Sequence, residues 1–67
     1  MFPMQFHVTR RSRDSHWVVI LWNSVYGAYL DKEQAVLDAI DVARDAVQAG
    51  HQAQVWIRDR SASVRVF

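Results

Sequence analysis

The sequence predicts an α+β domain, one amphipathic helix laid on one face of a three- to five-stranded antiparallel sheet. Three observations predict it. Lys32 to Ala49 contains no Gly or Pro and carries apolar residues at helical spacing. Short alternating or wholly apolar runs lie before and after it. Brief polar stretches separate the runs, and no linker or repeat interrupts them. The element order is β-β-(β)-α-β-β within a single domain, residues 1–67.

Residues 5–11 read as the first strand, with Phe6 and Val8 on one face and His7 and Thr9 on the other. Arg11 to Ser15 is a polar connection of hairpin length. The second strand, residues 16–22, is apolar on both faces: Trp17, Val19 and Leu21 alternate with Val18, Ile20 and Trp22. Such a strand expects cover on both sides. Asn23-Ser24 suits a turn, and Val25–Leu30 forms the optional third strand, with Gly27 marking a bulge.

Asp31 is a good helix N-cap, with Gln34 completing a capping-box-like pair. Val36, Ala39, Ile40, Ala43 and Val47 make the apolar stripe, and Gly50 suits a left-handed cap at the other end. Gln54–Arg58 is the next strand, with Val55 and Ile57 on one face and Trp56 on the other. Asp59-Arg60-Ser61 turns the chain into a last edge strand, Ser63–Phe67, with Val64 and Val66 inward and Arg65 and Phe67 outward.

These features resemble those of a family of short bacterial domains of unassigned function. The residues behind the resemblance are the aromatic-His-Val strand, Trp17-Val18-Val19, the capped Asp31-Lys32-Glu33-Gln34-Ala35 and the hairpin strand Val55-Trp56-Ile57-Arg58-Asp59. More distantly the pattern is similar to the double-stranded-RNA-binding-like fold of HicB-type antitoxins. The resemblance spans residues 6–66 and rests on core positions and a helix cap. The family's usual Asp-Gly turn is replaced here by Asp59-Arg60. The resemblance implies a fold and a bacterial or phage source, and it lends no catalytic residue.

The totals restrict the function classes. At 67 residues, ordering entropy nearly cancels what one core returns. With no cysteine, neither disulfides nor thiolate metal sites contribute. A hydrophobic fraction of 51% with three Trp therefore points to surface buried by self-association. Net charge +1 gives no bulk attraction to nucleic acid or membrane. No signal-like segment is present, and the longest apolar run, Trp17 to Trp22, is too short to span a bilayer, so a cytoplasmic location and no membrane partner are expected.

No catalytic residue is assigned. The serines sit in turns or at strand edges. Asp38, Asp41 and Asp45 recur on an outer helix face with no cleft to perturb them. His7 and His16 are placed to face each other across the first hairpin, but two imidazoles lack a third ligand, so no metal and no cofactor is expected.

Charge is unevenly distributed. Residues 31–49 sum to about −3 and the remainder to about +4, and all the basic residues outside the helix are arginines. With three strands before the helix, the 11–15 and 59–61 turns share one end of the sheet. Arg10, Arg11, Arg13, Arg58 and Arg60 then form one basic rim. With two strands the rim disappears. On the face away from the helix, Val18, Ile20, Trp22 and Trp56, joined by Phe67, exceed what a monomer leaves in water. The function expected is therefore a non-enzymatic interaction protein that binds itself, as a homodimer, or a partner protein through that face. The alternatives are a nucleic-acid-binding module using the same arginines and aromatics, and a phage-borne inhibitor of a host protein. No small-molecule substrate is inferred.

Overall fold

The computed structural model describes residues 2–60 and 62–67. Its elements are β1 (Met4–Arg10), β2 (Trp17–Leu21), β3 (Ser24–Tyr29), α1 (Lys32–Gln48), β4 (Ala53–Asp59) and β5 (Ala62–Arg65). The fold is α+β, and the optional third strand is present. The strands form one sheet in the order β3-β2-β1-β4-β5.

The sheet departs from the all-antiparallel expectation at its centre, where β1 and β4 pair in parallel. The other three pairs are antiparallel. The cause is the strand count before the helix. After two reversals β3 runs in the direction of β1. The helix then returns the chain to the end where β1 begins. Placed at the free edge of β1, β4 has to run alongside it.

The core lies between the sheet and the helix. Phe6, Val8, Val19 and Val55 are fully buried from the sheet side, opposite Ala35, Ala39 and Ala43. One alanine per turn keeps the contact row of the helix short, so its axis can sit close to the strands. Val36, Ile40 and Ala46 flank this row. Val47, expected in the stripe, is exposed instead. Each four-residue step advances about 40° around the helix, so position 47 has rotated off the contact face and Ala46 takes its place.

Both helix ends match their sequence signals. Asp31 has extended backbone, and its Oδ1 accepts from the Gln34 N–H at 2.9 Å. At the other end Gly50 has φ 95°. Its N–H donates to the Val47 carbonyl, and the His51 N–H to the Ala46 carbonyl, which is the Schellman arrangement.

The β2–β3 turn lies one residue earlier than the expected Asn23-Ser24. Leu21 pairs with Ser24, leaving Trp22-Asn23 as a two-residue turn. Both residues have positive φ, 50° and 65°, as a type I′ turn requires. A register shift follows, and Tyr26 is the extra residue. Beyond it the Tyr29 side chain lies across Gly27, so that a Cβ there would sit 2.6 Å from the Tyr29 oxygen. The Tyr29 hydroxyl donates to Asp38 on the helix, which with burial pushes the phenol up to about 12.

Candidate functional site

The ladder assigns every strand residue to a face. Phe6 pairs with Leu21 and Val55, which places Trp17, Val19, Leu21, Val55 and Ile57 toward the helix. The opposite face carries His7 in one row with Ile20 and Trp56, and Thr9 in the next with Val18 and Arg58. Among the described residues no second layer covers this face.

The outer face is more closed than the sequence implies. Val18 is only 3% exposed, because neighbouring side chains on the sheet already shield it. Ile20 and Trp56 are half-buried. The Trp56 indole N–H donates to Gln54 Oε1 at 3.0 Å, and Gln5 donates to the same oxygen at 3.2 Å. His7 Nδ1 is buried without a hydrogen-bond partner. Burial first, then the Arg58 charge, hold the imidazole below its ordinary value, so it is neutral near pH 7.

Phe67 does not join this face. The β5 ladder ends at Arg65, and the N–H groups of Val66 and Phe67 both donate to the Val55 carbonyl, at 2.9 and 3.4 Å. Two successive donors on one acceptor break the strand alternation, and the Phe67 ring packs against the core. Nor do His7 and His16 face each other: His7 is opposite Ile20, and His16 precedes β2. Among the described residues no three His, Asp or Glu side chains gather as a metal site would need.

Trp22 stands at the end of the sheet where β1 and β4 begin, and it is 67% exposed. An apolar hollow of about 460 Å³ opens beside it, lined by Phe2, Met4, Ala46 and His51. A second hollow, of about 350 Å³, lies on its other side among Gln5, His7, Ile20 and Arg58. Trp22 is thus the residue that joins the outer face to the apolar end.

The opposite end is basic. The loop after β1 and the turn after β4 lie side by side there, with the start of the helix, as three strands before the helix require. A hollow of about 520 Å³ separates them, lined on one side by Thr9, Arg10, Ser12 and Ser15 and on the other by Arg58, Asp59 and Arg60. Arg10 donates to the Ser15 hydroxyl at 3.3 Å. Among the described residues no carboxylate lies within ion-pair distance of Arg10, Arg58 or Arg60.

Two of the five expected rim arginines stand apart from the hollow. Arg11 is engaged by Asp14 through two hydrogen bonds, 3.1 and 2.7 Å, which close the loop. That contact, with the His16 N–H also donating to Asp14, holds the Asp14 carboxyl well below the usual carboxylate range. Arg13 is exposed at the loop tip.

Among the described residues four other than glycine are left-handed, Ser15, Trp22, Asn23 and Arg60. Only Asn23 is of a type that favours the conformation. The strand register puts Thr9 beside Arg58, and the loop after β1 brings the hydroxyls of Ser12 and Ser15 to the same hollow, a grouping no local pattern signals.

No protein-family model matches the chain, and comparison with curated proteins and with solved structures gives no significant match. The β-β-β-α-β-β order is that of a small α+β domain, and it carries no family assignment. Among the described residues no helix is long and apolar enough to cross a membrane.

Proposed function

We propose that this chain is a non-enzymatic interaction protein that binds a second copy of itself or a partner protein through Trp22, Ile20 and Trp56. The conformation of Trp22 carries the reading. The first position of a type I′ turn favours Asn, Asp or Gly, because an L-residue with a large side chain is strained there by about 1–2 kcal/mol. Trp22 accepts that strain, yet most of its ring is in water, so the fold gains little in return. Strain retained at an exposed aromatic fits a surface whose partner buries it. Val18 contributes little because it is already buried, and Phe67 because it packs against the core, away from this face.

Light scattering and sedimentation over a micromolar range test the self-association form. The expected result is a dimer whose dissociation constant rises at least about tenfold in Trp22→Ala. A monomer at every concentration excludes a homodimer, and a host protein, the target of a phage-borne inhibitor, is then the occupant to test. If Trp22→Ala leaves both assembly and partner binding unchanged, the reading fails.

Nucleic-acid binding is the second reading, favoured by the shared end of Arg10, Arg58 and Arg60. It predicts retention of labelled oligonucleotides at low salt, lost on charge reversal at Arg58.

A further inference from the structure

The geometry points to a phosphate-binding site in the hollow between the carboxyl ends of β1 and β4. This lies apart from the protein-binding surface at Trp22 and rests on the basic end of the second reading, for which it names the chemistry held there.

The first argument is topological. β1 and β4 are adjacent and parallel, but their outgoing connections diverge, β1 leading to β2 on one side and β4 to β5 on the other. Two parallel strands whose connections part in opposite directions leave a crevice beyond their carboxyl ends. In open α/β sheets, where the connections are helices, the corresponding crevice receives ligands; here two hairpin connections flank it instead. The 520 Å³ hollow lies at this point.

The second argument is chemical. Three arginines with no carboxylate partner among the described residues edge the crevice, and Thr9, Ser12 and Ser15 add hydroxyl donors. Asp59 is the one acid in the lining, so the balance stays positive. Guanidinium groups donate in a planar fork that matches the oxygens of phosphate, and hydroxyls complete a tetrahedral anion's shell.

The third argument is Arg60 itself. Its φ is 47°, in a hairpin turn where glycine adopts that conformation freely. An arginine here carries strain that a glycine would relieve, and it places a guanidinium on the crevice rim. A residue that weakens the fold and charges the site is explained by what the site holds.

The phosphate could be a terminal one on a small molecule or a diester within a nucleic acid strand. The test uses the full chain and follows backbone amide signals by NMR with inorganic phosphate, a 5′-mononucleotide and a single-stranded oligonucleotide. Saturable shifts are expected over residues 9–15 and 58–60. Binding of inorganic phosphate and mononucleotide assigns a terminal phosphate, and binding of the oligonucleotide alone assigns a diester. Arg60→Gly is expected to raise the thermal midpoint while lowering affinity about tenfold. Arg58→Gln is expected to lower affinity to a similar extent, and Arg44→Gln on the helix to leave it unchanged. The inference is overturned if none of the three probes gives saturable shifts in the millimolar range. It is equally overturned if Arg60→Gly, folded and more stable, binds as tightly as the parent.

Discussion

The two ends of the sheet are built from the same strands and differ in almost every other respect. Where β1 and β4 begin, Phe2, Met4 and Trp22 surround an apolar hollow. Where β1 and β4 finish, arginines and hydroxyls surround a polar one. Each end has a left-handed residue of an unfavoured type, Trp22 at one and Arg60 at the other. The difference shows how one short sheet offers two separate chemistries. The buried middle of each strand sets the fold, and the turns, which the core does not constrain, carry the distinguishing side chains.

The largest expected effect removes the middle that connects the ends. Phe6→Ala empties a fully buried ring site and should cost about 3–5 kcal/mol, enough to unfold a chain this size. Urea denaturation followed by tryptophan fluorescence checks it. Both ends should be lost together. Persistence of either would mean that the hairpins hold their shape independently of the core.

Next is the helix start at the basic end. Asp31→Ala removes the acceptor for the Gln34 N–H and should cost about 1 kcal/mol, read as a lower denaturation midpoint.

A change of opposite sign is expected at the apolar end. Trp22→Gly should stabilise the isolated chain by up to about 1 kcal/mol by releasing the left-handed strain, while weakening any assembly through that end. A loss of stability in the monomer would show that the ring contributes to the fold.

The smallest effect is a pH dependence from His7 on the outer face. Its folded value lies below 6.5, so near and below that pH the unfolded chain binds more protons than the folded one. Stability should therefore fall as pH is lowered from 7 through the ordinary histidine range toward the folded value, and rise again on return. His7→Gln should flatten the profile, with denaturation midpoints at several pH values as the measurement. An unchanged slope would place the titration elsewhere.

Much of this was legible in the sequence, because alternation and helical spacing are read one element at a time. The caps at Asp31 and Gly50 follow from side-chain and backbone chemistry within a few residues. The parallel pairing of β1 with β4 was not legible. Residue patterns within a strand do not reveal its neighbour, and only the count of reversals fixes the direction. The burial of Val18 and the inward turn of Phe67 depend on what lies beside them across the sheet. The basic end was half legible. The arginines were apparent, but the detachment of Arg11 depends on the loop folding Asp14 back onto it.

The central parallel pair has a consequence for how the chain acquires its shape. It joins segments distant in sequence, as at Gln5 and Gln54, 49 residues apart. During synthesis β1, β2, β3 and the helix emerge first and can assemble from local contacts. The inner edge of β1 then stays unpaired until β4 arrives. Until that moment the nascent chain displays an open strand edge at the middle of its future sheet, the feature most prone to pairing with another chain. Closing the centre last makes β4 the step that separates productive folding from association between unfinished copies.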